Sequence, residues 1–106
     1  MAKILALHGP NLNLLGVREP HIYGSDSLED INKLCRNLCD KKGHEFDSLQ
    51  SNAEGVFIDR LHEARIDGTE FMIVNFGGFT HTSVAIRDAI IASEVSFIEV
   101  HLSNLF

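Results

Sequence analysis

Four short strand-like runs punctuate the chain, two of them wholly apolar, and stretches of helical period separate them. Ile4-Leu5-Ala6-Leu7 is continuous and stops at His8-Gly9-Pro10, the pattern of a strand buried on both faces. Leu28, Ile31, Leu34, Cys35 and Leu38 then recur at helical spacing. Ser27 to Asp30 has the form of a capping box, and Gly43 suits the position just past a helix end. A helix over about 28 to 42 is predicted. Phe46 to Leu49 predicts a second, weaker strand. Phe57, Ile58, Leu61 and Ala64 mark a helix over about 54 to 65, which Asp67-Gly68 breaks. Phe71-Met72-Ile73-Val74 is the clearest strand, and Asn75 to Phe79 is a glycine-containing turn. Thr80 or Thr82 is placed to cap a third helix, with Val84, Ala85, Ala89 and Ile90 on its inner side. Phe97-Ile98-Glu99-Val100 reads as the last strand.

The order is β-α-β-α-β-α-β, with no repeat and no linker. Alternation of this kind implies right-handed crossovers and a parallel sheet covered by helices on both faces. The natural closure is an α/β, flavodoxin-like doubly wound sheet of strand order 2-1-3-4, forming a single domain over residues 1–106. No helix follows the fourth strand, so one face of the sheet lacks its cover there. Two explanations are expected: the chain is a fragment, or a partner subunit supplies the layer.

Charge narrows the class of partner. A net charge of −6 and a pI near 5.4 argue against nucleic acid or an anionic membrane as the main partner, though a local cationic pocket remains compatible with them. Met1 to Leu7 is too short for a signal h-region, and no apolar run nears the ~20 residues of a membrane span. A cytoplasmic protein is expected. Cys35 and Cys39 stand four apart in the first helix and are expected to be reduced residues of a buried face. No further Cys or His stands near them at metal-ligand spacing.

One segment fits neither period. Residues 9 to 24 hold both prolines, the only tyrosine and three of the eight glycines. Loops longer than about 12 to 15 residues are usually functional in a compact domain. In an open α/β sheet, ligands bind beyond the carboxyl ends of the strands. That rim collects His8, Asn11, Asn13, Arg18 and Tyr23 after strand one, and Gln50, Ser51 and Asn52 after strand two. Asn75, Thr80, His81 and Thr82 follow strand three, and Glu99, His101, Ser103 and Asn104 lie at strand four. The rim has no G-x-G-x-x-G, no G-x-x-x-x-G-K-[ST] and no G-x-S-x-G. None of Lys3, Lys33, Lys41 and Lys42 falls on it, which argues against a Schiff base.

Acid–base chemistry remains, and it needs a base, an acid and a holder of developing charge. Tyr23 is a candidate base if the Arg18 guanidinium favours its phenolate. His101 is a candidate acid, with Glu99 on the same side of the strand to orient it. Asn75, His81, Ser103 and Asn104 suit a small, oxygen-rich substrate. The plainer readings are a surface tyrosine, a satisfied buried histidine at 101, and an Asn75 that only caps its turn.

The motifs themselves resemble a known family. Gly9-Pro10-Asn11-Leu12-Asn13-Leu14-Leu15-Gly16, Arg18-Glu19-Pro20 and Tyr23-Gly24 are similar to the opening signature of type II 3-dehydroquinate dehydratase. Gln50-Ser51-Asn52 with Glu54-Gly55 resembles its second motif, Asn75 with Thr80 to Ala89 its third, and Ile98 to Asn104 its fourth. The resemblance implies a lyase of the shikimate pathway that dehydrates 3-dehydroquinate to 3-dehydroshikimate. It implies anti elimination through an enolate, without metal or cofactor. Carried over, Tyr23 is the base, Arg18 lowers its pKa, Asn11 holds a water at the enolate oxygen, and His101, oriented by Glu99, is the acid. Asn75, His81, Leu102 and Ser103 bind substrate, and Asp88 reaches a neighbouring subunit's site in a dodecamer of trimers. The family differs at the turn holding Phe76, Gly78 and Phe79. It also continues beyond the fourth motif with a substrate-clamping arginine, a fifth strand and a last helix. A non-catalytic homologue that keeps the fold and at most binds a small acid is the alternative expectation.

Overall fold

The computed structural model describes residues 1–17 and 26–101. Strand β1 runs Lys3–His8, and a 3-10 turn covers Leu12–Leu14. Helix α1 is Leu28–Lys41, β2 is Glu45–Gln50, α2 is Glu54–Ala64 and β3 is Phe71–Asn75. A four-residue helix α3, Phe79–Thr82, precedes α4, Val84–Ser93, and β4 is Ser96–Glu99. The four strands form one parallel sheet in the order β2-β1-β3-β4, as the alternation of elements predicts.

Alternation along each strand sends Leu5, Leu7, Met72 and Val74 to one face, and Ile4, Ala6, Phe71 and Ile73 to the other. Helices α2 and α4 cover the first face and enclose the core with Phe57, Leu61, Ala64, Ile86, Ala89 and Ile90. The Phe57 ring meets Phe76 edge-on at 5.3 Å and Phe79 at 6.3 Å between centroids, so the turn after β3 is seated on this core. Among the described residues, α1 is the one helix that lies against the second face. Its start is closed by the expected capping box: Ser27 Oγ accepts from the Asp30 N–H, and Asp30 Oδ2 from the Ser27 N–H.

The cover that α1 provides is partial. The Arg36 guanidinium sits 5.6 Å over the Phe46 ring on the outermost strand β2. The opposite flank of the helix carries Leu34 and Leu38, which are 61% and 50% exposed. Cys35 and Cys39 are free thiols of intermediate exposure, not the buried pair the spacing predicted, because no second helix packs beside α1 among the described residues. Burial pushes the Cys35 thiol up from its ordinary value, and the neighbouring Cys39 adds to the effect. All four β4 residues are exposed, in keeping with an edge strand that has little cover.

The third predicted helix is two helices. Ser83, extended at φ −98° and ψ 98°, separates them, and its hydroxyl accepts the Ile86 N–H at 3.0 Å. Ser83 therefore caps α4; neither Thr80 nor Thr82 does, and the Thr82 hydroxyl donates to Gly78 O at 3.3 Å. The break shifts the inner side to Ile86, Ala89, Ile90 and Ser93, leaving Val84 76% exposed and Ala85 also exposed.

Candidate active site

The chain leaves β1 toward β2 on one side, while β3 joins β1 on the other, so the switch point of the sheet lies between β1 and β3. The strand ends bring His8 level with Gln50 on one side and Asn75 on the other. The first turn of the loop is held tightly against that point. Gly9 donates its N–H to Asn75 O at 2.7 Å, and a Cβ at Gly9 would collide with the Phe76 carbonyl. Only glycine fits this approach of two backbones.

Asn11 follows in the left-handed region, at φ 69°. Its N–H donates to Asn52 Oδ1 at 2.9 Å, across from the end of β2. Gln50 Nε2 donates to Gly9 O at 3.2 Å, to Asn52 Oδ1 at 3.3 Å and to Asn13 Oδ1 at 3.4 Å. The turn of the first expected site residue is thus held by Asn52, two residues past β2, and by Gln50 at the strand's end. Leu15 is buried just beyond and pins the far end of the turn.

Asn75 is buried at the end of β3, and its Oδ1 accepts the Gly77 N–H at 3.2 Å. That is the turn-capping role weighed for it from sequence, and it fixes the side chain at the switch point. Gly77 takes φ 55°, with Pro10 O 3.4 Å from the site of a Cβ, so the turns after β1 and β3 touch.

At the fourth strand, Glu99 Oε1 and His101 Nε2 are 3.3 Å apart, the pairing expected from their spacing. The Glu99 side of the strand opens on a cavity of about 330 Å³ lined by Val74, Phe76, Phe79, Thr80, Arg87 and Phe97 among others. Thr80 Oγ1 is buried there without a partner among the described residues. Arg87 Nη2 donates to Thr80 O at 3.2 Å, which ties α4 to α3 at the cavity wall.

The remaining expected residues divide. His81 is exposed at the end of α3. Asp88 lies on the outer face of α4, between Val84 and Ile91, turned away from the sheet by the helical period that points Ile86 and Ile90 inward. Arg18, Tyr23, Leu102 and Ser103 lie outside the described residues. Two further residues hold the rim together. His8 is buried, and its Nε2 stands 2.8 Å from Asn32 Oδ1, tying α1 to the rim. Burial holds its pKa below the ordinary histidine value, with the Asn32 hydrogen bond opposing. Asn52 is the other; its place two residues past a strand end was the signal available in sequence. Among the described residues, no group of three or more His, Cys, Asp or Glu side chains could hold a metal ion.

An open parallel sheet with its polar side chains gathered at the switch point defines a flavodoxin-like α/β protein with a rim site. The family model described as Dehydroquinase class II matches residues 2–106, and the chain belongs to that family. It is 58% identical over 105 residues to the 3-dehydroquinate dehydratase of Cellvibrio japonicus, covering 99% of this chain and 71% of that protein. The 3-dehydroquinate dehydratase of Marinobacter nauticus is 57% identical, with 99% and 72% covered. The crystal structure of type II dehydroquinase from Butyrivibrio crossotus superposes with a TM-score of 0.94 at 45% identity, covering 98% of this chain and 72% of that one.

Proposed function

We propose that this chain dehydrates 3-dehydroquinate to 3-dehydroshikimate as a type II enzyme. The observation that carries the reading is the Glu99–His101 pair, at 3.3 Å, on the same rim as Asn11 and Asn75 in a chain of this family. In the proposed reaction, the Tyr23 phenolate takes a proton from the carbon next to the ketone, and the C–H electrons form an enolate. Arg18 favours the phenolate by its charge. Asn11 holds a water against the enolate oxygen. The enolate re-forms the ketone, the carbon–oxygen bond of the β-hydroxyl breaks, and His101 gives that hydroxyl its proton so that water departs. Glu99 orients the imidazole. Asn75, His81, Leu102 and Ser103 bind the substrate, and no metal or cofactor takes part.

The assembly belongs to the same proposal. Val84, Asp88 and Ile91 share the outer face of α4, two exposed apolar side chains around one carboxylate. An interface there would carry Asp88 to a neighbouring subunit's site, as a trimer within a dodecamer requires. We place the protein in the cytoplasm as one flavodoxin-like domain; no helix among the described residues is long and apolar enough to cross a membrane.

Appearance of the conjugated enone absorbance on mixing with 3-dehydroquinate tests the activity. Inactivation by borohydride in the presence of substrate would reveal an imine and overturn the enolate mechanism. Binding of substrate without any enone would replace the enzyme with a binding homologue.

A further inference from the structure

We infer that Asn52 is a positioning residue, a clamp that holds Asn11 in its left-handed turn, and that Gln50 in turn holds Asn52. A non-glycine residue in the left-handed region is strained relative to helix or strand, although asparagine tolerates it better than most. Something must therefore select that conformation at Asn11, at φ 69°. The selecting contact is the hydrogen bond from the Asn11 N–H to Asn52 Oδ1, at 2.9 Å, which forms only when the peptide before Asn11 is turned toward β2. The same oxygen accepts from Gln50 Nε2 at 3.3 Å. Gln50 Nε2 also reaches Gly9 O at 3.2 Å and Asn13 Oδ1 at 3.4 Å. One amide group from the last residue of β2 thus ties the turn on either side of Asn11, and Asn52 ties its centre. Within residues 9–17 the loop's own backbone bonds are Leu12 N–H to Gly9 O, long at 3.4 Å, Leu14 N–H to Asn11 O at 3.0 Å, Leu15 N–H to Leu12 O at 3.2 Å and Val17 N–H to Leu14 O at 3.1 Å, and the Asn11 N–H donates in none of them.

The arrangement has a chemical consequence. Both contacts on Asn52 fall on its Oδ1, so the clamp needs an acceptor there and nothing else. An aspartate at 52 preserves the clamp, whereas an alanine removes it. The kinetic part of this inference rests on the proposed dehydration, in which Asn11 faces the enolate oxygen; the conformational part does not.

The test uses the whole chain with Asn52→Ala, Asn52→Asp and Gln50→Ala. Amide hydrogen exchange at Asn11 is expected to quicken about 10-fold in Asn52→Ala, the loss of one hydrogen bond, and to return to the parent rate in Asn52→Asp. Gln50→Ala gives the same pattern more weakly and decides the matter if Asn52→Ala does not fold. In the dehydration assay, kcat is expected to fall about 10- to 100-fold in Asn52→Ala. In Asn52→Asp it stays near the parent value, while KM for the anionic substrate rises several-fold. Unchanged exchange at Asn11 in Asn52→Ala, or no restoration by aspartate, overturns the clamp whatever the turnover. Faster exchange with unchanged kcat overturns its part in the reaction. A parent chain that yields no enone but shows the exchange pattern overturns the proposed function and leaves the clamp standing.

Discussion

The carboxylate of Glu99 meets the imidazole of His101 at 3.3 Å, although β4 ends at Glu99. The extended chain continues far enough to keep the two side chains on one side: the Val100 N–H donates to Val74 O at 2.8 Å. The contact is partly open to solvent, so its value lies in orienting the ring more than in stabilising the fold. His101→Ala is expected to lower kcat by about 10²- to 10⁴-fold, the usual worth of a general acid. Glu99→Gln should lower it less and leave the urea midpoint unchanged. A His101→Ala variant with parent kcat would remove the histidine from the reaction.

His8 makes stability depend on pH. Burial holds its folded-state pKa below the ordinary value of 6.5, against the opposing hydrogen bond with Asn32. The unfolded chain therefore takes up this proton first as pH falls. The His8 contribution is present above the ordinary value and is lost as pH falls from there through the folded-state value. Urea midpoints at pH 7.5 and pH 5.5 should differ less for His8→Asn than for the parent. An equal difference in the two proteins would show that His8 does not titrate in this way.

Asp67 anchors the turn before β3. Burial alone would raise its pKa, but the Thr69 hydroxyl and N–H, at 2.6 Å and 2.9 Å, outweigh that, aided by Lys3 and the charge of Arg60. The carboxyl is held well below the usual carboxylate range. Its folded-state pKa is depressed, so its contribution is present above the ordinary value of 3.8 and is lost as pH falls below it. Asp67→Asn also leaves Arg60 Nη1 without a contact made at 3.0 Å and Lys3 Nζ without one at 3.3 Å. A loss of about 1–3 kcal/mol is expected in urea unfolding at neutral pH. A change below half of the lower figure would show that the turn holds without the carboxylate.

Leu34 and Leu38 form an apolar strip on α1 that packs against little among the described residues. Replacing both with glutamine should change stability by no more than about 0.5 kcal/mol per site. The same replacement should reduce binding of a hydrophobic dye and self-association, read by fluorescence and by sedimentation. A large loss of stability would mean that the strip is covered in solution.

Gly9→Ala would drive a methyl group into the Phe76 carbonyl. The turns after β1 and β3 would then have to part, at a cost of at least about 2 kcal/mol. Thermal unfolding of the variant checks this, and a parent-like melting temperature would mean that the two backbones separate easily.

Much of the fold was legible because period alone carries it. The strand cores, two of the helices and the sheet order follow from runs such as Ile4 to Leu7 and from alternation with helical stretches. The third helix divides at Ser83, which spacing does not reveal, because Thr80, Thr82 and Ser83 offer several caps close together and period cannot choose among them. Only the packing of Ile86 and Ile90 on the sheet selects the serine. The gathering of polar residues on one rim was readable too, since parallel strands put all their carboxyl ends on one side.

What the sequence by itself determined was the set of chemical groups at the strand ends and the family to which the motifs belong. Local spacing also set the Glu99–His101 pair, because residues two apart in an extended chain share a side. Tertiary structure decided the rest. It buried His8 and turned Asp88 outward. It left Cys35 and Cys39 half-exposed, because burial depends on what packs beside a helix and not on the period within it. It also joined Asn11 to Asn52, residues 41 positions apart, through a hydrogen bond that exists only because β1 and β2 lie side by side. No pattern along the chain encodes that contact.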